Sequence, residues 1–224
     1  MSTYTQTPRT KVRRLAKRAV YDKARVHAIL DEGFLCHVGF TQDSQPFVIP
    51  TLYARVGETI YMHGSVASRM LKTLAEGLEV CVTVTLVDGY VLARSAFHHS
   101  MNYRSVTALG RARLVTEEAE KLAALHAMTD HIVPQRWDEV RRPSELEMRQ
   151  TLVLALPLEE VSAKVRVGPP VDDEEDYTLP VWAGVVPVRT ELGPGIADER
   201  IVPGVPEFQV SRFALRTQKA DGDS

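Results

Sequence analysis

Residues 60–72 (IYMHGSVASRMLK) hold the first group of side chains that could do chemistry. Ser68 and Lys72 are four positions apart and Arg69 and Lys72 three, so on a helix all three lie along one flank. A helix start offers unpaired backbone N–H groups and the positive end of the helix dipole. With two cations beside it, this segment favours a site for a phosphate group, and Gly64 allows close approach of a ligand.

A second reading of the same residues stays open, in which they form an ordinary capped surface helix with solvated basic side chains. The sequence has no Walker glycine pattern, no GxGxxG and no GxSxG. These absences leave nucleoside triphosphate binding, Rossmann dinucleotide binding and a serine hydrolase without support.

Residues 97–106 (FHHSMNYRSV) are the second chemically rich stretch, lying between two apolar segments. Asn102, Arg104 and Ser105 offer hydrogen bonds for a polar ring edge or a phosphate, and Tyr103 offers an aromatic wall. The adjacent histidines would point to opposite faces of a strand, and no carboxylate stands near them. We therefore predict no metal site there.

The elements that must position these groups are mostly strands. Apolar and β-branched runs predict strands over residues 34–41, 46–55, 59–63, 80–87, 90–96, 105–115, 153–158 and 161–167. Asp88-Gly89 predicts a two-residue hairpin. Helical spacing predicts helices over residues 21–32, 65–77 and 116–131, and a shorter one from Ser144. Many short strands with few helices predict a mainly β fold, a small antiparallel barrel with peripheral helices.

Length and composition fit one domain with extensions at both ends. The 224 residues are 44% hydrophobic and 25% charged, with a net charge of -2 that argues against nucleic-acid binding. No apolar run is long enough for a membrane span or a secretory signal, so we expect a cytoplasmic protein. The predicted parts are a basic N-terminal arm over 1–18, a core domain over 19–188 that would form the barrel, and an extended C-terminal tail over 189–224.

Four segments taken in order resemble the pyridoxamine 5'-phosphate oxidase-like family. They are PFVIPTLY at 46–53, IYMHGSVASRMLK at 60–72, VCVTVTLV at 80–87 and SMNYRSVTALG at 100–110. The resemblance is closest to the flavin-nucleotide-binding group that includes proteins linked to nitroimidazole resistance. It implies an FMN-binding split β-barrel that forms a homodimer with the flavin at the subunit interface.

The resemblance also implies residue roles. Ser68, Arg69 and Lys72 would hold the phosphate, and His63 would be the catalytic residue near the reacting centre. The other implied cofactor contacts are Ile49, Pro50, Thr51, Leu52, Tyr53, His63, Gly64, Ser65, Asn102, Tyr103, Arg104 and Ser105.

The function implied is that of an FMN-dependent oxidoreductase acting on a small organic substrate. The alternatives are a non-catalytic flavin carrier or sensor, or a split barrel that uses FAD, F420 or heme in place of FMN. The family's true pyridoxamine phosphate oxidases end in a tryptophan followed by Arg-Leu-x-Pro, which this chain lacks at 210–215 (VSRFAL). This departure argues against oxidation of pyridoxamine 5'-phosphate.

Overall fold

A computed structural model describes residues 2–214 of the chain, as two antiparallel sheets with four α-helices packed around them. The predicted mainly β, antiparallel fold with peripheral helices is confirmed. No helix among these residues is long and apolar enough to cross a membrane.

The larger sheet contains seven of the strands in residues 2–214. Their order is β1-β10-β7-β6-β2-β3, and β11 pairs with β6 outside this path. The strands are β1 (Ala19–Val20), β2 (Leu35–Gln42), β3 (Gln45–Leu52), β6 (Glu79–Leu92), β7 (Ser100–Arg111), β10 (Glu160–Arg166) and β11 (Gly184–Pro187).

The smaller sheet has the order β4-β5-β9-β8. Its strands are β4 (Ala54–Val56), β5 (Thr59–Ser65), β8 (Arg113–Leu114) and β9 (Thr151–Pro157). The chain passes between the two sheets at Tyr53 and at Ala112, and both residues are buried. The predicted strand 46–55 is therefore two strands, one in each sheet.

The core lies between the sheets because side chains alternate along each strand. On β5, Ile60 and Met62 are fully buried in the main cluster, which also contains Leu30 of the first helix. Tyr61 points the other way and packs with the third helix in a smaller cluster around Met128. Successive residues of β5 therefore serve two different layers.

The helices begin close to where the sequence predicts. They are α1 (Lys23–Glu32), α2 (Arg69–Ala75), α3 (Glu118–Ile132) and α4 (Glu145–Arg149). Ser68 caps α2 by accepting a hydrogen bond from the Leu71 N–H, and Ser144 forms a capping box with Glu147. The start of α3 differs, because Glu117 and not Thr116 occupies the cap position.

The predicted hairpin at Asp88-Gly89 is wrong. β6 runs unbroken from Glu79 to Leu92, with only a bulge between Val87 and Gly89. Arg104 binds the Asp88 carboxylate at 2.7 Å, while β11 packs so closely that a Cβ on Gly89 would lie 3.0 Å from the Val186 carbonyl oxygen. Pairing with β7 on one side and β11 on the other holds this dipeptide extended.

The N-terminal segment contacts the sheets. Tyr4 is buried, and its backbone N–H donates a hydrogen bond to the Tyr21 carbonyl. Arg9 forms ion pairs with Glu79 and Glu160. Much of the predicted basic arm is thus attached to the sheets. Residues 189–209 have no regular secondary structure. Residue 1 of the predicted arm and residues 215–224 of the predicted tail lie outside the described residues.

Candidate functional site

The start of α2 is a compact turn built by short side chains. Ser65 ends β5, and its hydroxyl accepts a hydrogen bond from the Ala67 N–H at 3.1 Å. Gly64 lies so close to Leu71 that a Cβ there would be 3.0 Å from the Leu71 Cδ1 atom. The turn therefore presents Ser68 and the first helical residues at the end of β5.

Arg69 joins this turn to the larger sheet. Its guanidinium carbon lies 4.2 Å from the centroid of the Phe47 ring on β3. Arg69 and Lys72 are both exposed, and neither has a carboxylate partner within residues 2–214. The two cations predicted to hold a phosphate are thus on one surface and not neutralised by the part of the chain that the structure describes.

β3 supplies an open edge beside these cations. It pairs with β2 on one side, and β5 approaches its other side without joining the ladder. Pro50 lies on this edge strand and has no N–H, and Val48 is 67% exposed. The strand that contains Ile49 to Leu52 of the predicted contact segment therefore meets the start of α2 through the contact between Phe47 and Arg69.

Tyr53 contributes only backbone to this edge. Its side chain is fully buried, and its hydroxyl donates a hydrogen bond to the Leu30 carbonyl oxygen at 2.5 Å. The ring consequently anchors the crossing between the two sheets.

His63 lies on β5 one residue before Gly64, with its ring directed towards α3. Its Nδ1 is 3.2 Å from the Met128 Sδ, and it lines a cavity of about 440 Å³ together with Trp137 and Thr129. Burial lowers the pKa of His63, so the imidazole is neutral at neutral pH. A neutral ring in this position can donate or accept a hydrogen bond, or ligate a metal through Nε2, for which residues 2–214 provide no hydrogen-bond partner.

The predicted site residues on β7, Asn102 to Ser105, lie away from β3 and the start of α2 within the same chain. Strands β6 and β2 separate β7 from β3, a lateral distance of about 14 Å at the usual strand spacing. Asn102 bonds to Arg166 and to the Gly168 carbonyl, and Arg104 forms ion pairs with Glu32 and Asp88. Ser105 donates to the Lys164 carbonyl at 3.4 Å. Within one subunit these residues serve mainly as structural hydrogen-bonding groups.

Sequence reasoning missed Trp137 and Arg166. Trp137 is 7% exposed although it stands in a charged segment (RWDEVRR), and this contrast was the signal that could have been used. Arg166 is 9% exposed, and nothing in its local sequence marks it as buried. Both positions depend on contacts that are distant in the chain.

A larger groove of about 830 Å³ runs between α3, β4 and the end of α1. Its charged groups are paired with each other, as in the Arg55–Asp31 ion pair at 2.5 Å and the His126–Asp130 contact at 3.3 Å. No group of three or more His, Cys, Asp or Glu side chains in residues 2–214 could hold a metal ion. The groove therefore offers less chemistry than the region around β3, β5 and α2.

Known structures resemble this chain over nearly its whole length. The flavocytochrome Anf3 from Azotobacter vinelandii is 43% identical, over 95% of this chain and 96% of that one, with a TM-score of 0.86. A FAD and heme binding protein from Mycobacterium smegmatis is 36% identical over 84% of this chain and 93% of that one, with a TM-score of 0.81. A candidate 5-nitroimidazole resistance protein from Bacteroides thetaiotaomicron shares the fold at 24% identity, over 66% of this chain and 86% of that one, with a TM-score of 0.56.

No curated protein sequence matches the chain. The sequence model of the family described as pyridoxamine 5'-phosphate oxidase matches residues 22–165. This range contains both sheets except β1, β11 and the last residue of β10, and it contains every residue predicted for the site. The chain therefore belongs to the pyridoxamine 5'-phosphate oxidase family, with the split-barrel fold that the resemblance implied.

Proposed function

We propose that this protein is a flavin-dependent redox protein that also binds heme. The observation that carries the proposal is its identity of 43% and 36%, over most of both chains, to a flavocytochrome and to a FAD and heme binding protein. Of the two flavins, FAD is favoured over the expected FMN because the second of these relatives is described as binding FAD.

The flavin site that we propose is the open edge of β3 with the start of α2. Ser68, Arg69 and Lys72 hold the phosphate nearest the ring system, because the two cations are exposed and without carboxylate partners among the described residues. Backbone groups of Ile49 to Tyr53 and the His63–Ser65 turn flank the ring. A bound flavin supplies hydride and single-electron transfer, and a bound heme single-electron transfer.

For heme, His63 is the residue whose surroundings fit best. A neutral imidazole is the form that ligates iron, and the adjacent cavity of about 440 Å³ has Leu125, Trp137 and Val140 on its walls. A contact from Nδ1 to Met128 holds the ring, and Nε2 has no hydrogen-bond partner among the described residues. This assignment competes with the catalytic role predicted for His63.

We further propose that two copies associate through the open face of the larger sheet. A row of side chains without Asp, Glu, Lys or Arg crosses five strands there in register: Pro50, His37, Thr83, Thr107 and Ser162. A sheet face left in water usually carries charged residues along its strands, whereas a covered face does not. Val48 and Val87, 67% and 40% exposed, extend the same surface. In such a homodimer Tyr103 and Ser105, which alternate along β7 onto the same face as Thr107, would face the partner copy and its flavin, while Asn102 and Arg104 would support that strand from behind.

An absorption spectrum of the protein as purified tests the cofactor proposal, with the flavin identified by chromatography after acid release and the heme by its pyridine complex. We expect FAD and a b-type heme. A protein that shows neither spectrum, and binds neither added cofactor, contradicts the proposal. A deazaflavin spectrum would instead support the F420 alternative.

The His63→Ala variant tests whether His63 ligates heme or acts at the flavin, and the wild-type protein tests whether there is redox activity at all. His63→Ala is expected to lose the heme Soret band and keep its flavin if His63 ligates iron. If it keeps heme but loses NAD(P)H oxidation with an added acceptor, His63 acts at the flavin. A wild-type protein that retains both cofactors and turns over no reductant would be a carrier or sensor.

A further inference from the structure

Arg166, the last residue of β10, carries a buried positive charge without a carboxylate beside it. The residue is 9% exposed. Nη1 donates to the Asn102 side-chain oxygen and to the Gly168 carbonyl at 3.3 Å, and Nη2 donates to the Pro169 carbonyl at 3.3 Å. All three acceptors are neutral, so they satisfy hydrogen bonds but leave the charge uncompensated.

Other arginines that the fold partly buries are treated differently. Arg94 binds Asp172 at 3.0 Å, Arg55 binds Asp31 at 2.5 Å, and Arg104 binds Asp88 at 2.7 Å. Each of these three arginines is half-buried, whereas Arg166 is buried. Removing a charge from water is costly unless an opposite charge compensates it, so Arg166, which is buried and has no carboxylate partner, is the one of these four arginines that most needs an anion.

The surroundings of Arg166 add positive charge. Burial lowers the pKa of Arg166, and the charge of Arg18 lowers it further. Arg18 directly precedes β1, whose Ala19 pairs with Lys164. Arg18 and Lys164 therefore both lie near the end of β10 that carries Arg166. Within residues 2–214 neither Arg18 nor Lys164 has an ion-pair partner. Arg18 and Lys164 therefore add to the positive charge around Arg166 and do not compensate it.

The guanidinium also keeps a binding edge available. Nε has no hydrogen-bond partner within residues 2–214, and an arginine commonly binds carboxylate or phosphate through two parallel N–H groups. Tyr103 lies opposite Arg166 in the β7–β10 register and is half-buried. Its hydroxyl, like Nε, lacks a partner in the described part of the chain.

We propose that Arg166, with Arg18 and the Tyr103 hydroxyl, forms a binding site for one oxyanion, a phosphate or a carboxylate. The site is separate from the start of α2, because β6 and β2 lie between β7 and β3. An oxyanion of either kind could belong to a cofactor, as the diphosphate of FAD or a heme propionate, or to a free ligand. If the oxyanion belongs to a cofactor, the inference rests on the proposed function. If it is a free ligand, the inference is independent of that function.

The test compares wild type with Arg166→Met, Tyr103→Phe and the control Arg14→Met. Arg14 is an exposed arginine of the same basic segment with no ion pair among the described residues, so its variant removes the same charge outside the site. Affinities for FAD, FMN and heme are measured by titration. The melting temperature is measured with inorganic pyrophosphate and with chloride at equal ionic strength.

We expect Arg166→Met to weaken binding of one oxyanion at least tenfold, Tyr103→Phe to weaken it less, and Arg14→Met to leave it unchanged. A selective loss of FAD over FMN supports the flavin diphosphate as the ligand, and a selective loss of heme supports a propionate. Loss of a pyrophosphate-dependent rise in melting temperature alone supports a free ligand. If Arg166→Met changes none of these relative to Arg14→Met, the site does not exist. The pyrophosphate measurement stays informative even if the wild type binds neither cofactor.

Discussion

Replacing Arg69 with alanine is expected to weaken flavin binding by about tenfold. A hydrogen bond to a charged group contributes about 1.5–3 kcal/mol, which is about 10- to 150-fold in affinity. Arg69 is exposed, so water and salt reduce its interaction, and the lower end of this range applies. The Phe47 ring, 4.2 Å from the guanidinium carbon, holds the side chain in place before the ligand arrives. Phe47→Leu should therefore lower flavin affinity by up to about fivefold, because it releases the Arg69 side chain and an exposed cation–π contact contributes about 0.5–1 kcal/mol.

The assay is titration of protein freed of flavin, followed by quenching of flavin fluorescence at low and high salt. Arg25→Ala is the control, because Arg25 is an exposed helical arginine with no ion pair in the described part of the chain. The difference between Arg69→Ala and wild type should shrink as salt rises. Equal affinities for Arg69→Ala and Arg25→Ala, together with an unchanged Lys72→Ala variant, would refute the phosphate assignment.

Three other predictions concern the fold. Tyr53→Phe should destabilise the protein by about 1–3 kcal/mol in urea unfolding, since it leaves the α1 carbonyl that Tyr53 binds without its buried donor; an unchanged unfolding midpoint would contradict this. Cys36, whose pKa burial raises to about 12, should resist thiol reagents in the native state of a Cys81→Ser variant, and fast labelling of that variant would contradict this. Burial raises the pKa of Glu58, but hydrogen bonds from Tyr4 and Lys23 lower it more, so its stabilisation is present above the ordinary value of 4.5 and lost as pH falls below it. Tyr4→Phe should accordingly destabilise the protein more at neutral pH than at pH values well below 4.5, and an equal loss at both would argue against this pair.

Sequence patterns predicted the parts of the fold that local alternation determines. The strand at 59–63 was recognisable because Ile60 and Met62 alternate with Tyr61 and His63, and the caps of α2 and α4 were recognisable from Ser68 and Ser144. Such features depend on residues within a few positions of each other.

Features that depend on distant partners were not predictable in this way. Asp88-Gly89 has the composition of a hairpin, but two neighbouring strands hold it extended. Arg166 is buried by contacts with Asn102 and Gly168, and a lone arginine at a strand end gives no local sign of them. The position of β7 relative to β3 likewise follows from strand order, which local periodicity does not encode.

The short strand β11 has a consequence for truncation of the chain. It covers the last part of β6, pairing from Gly184 opposite Leu92 to Pro187 opposite Gly89. If the chain were cut before β11, the segment of β6 that contains Val91 would become an unprotected, apolar sheet edge. Such an edge is a template for intermolecular strand addition. Shortened versions ending before Gly184 are therefore expected to aggregate, and those ending after Pro187 to stay dispersed, so the tail can be trimmed only beyond this point.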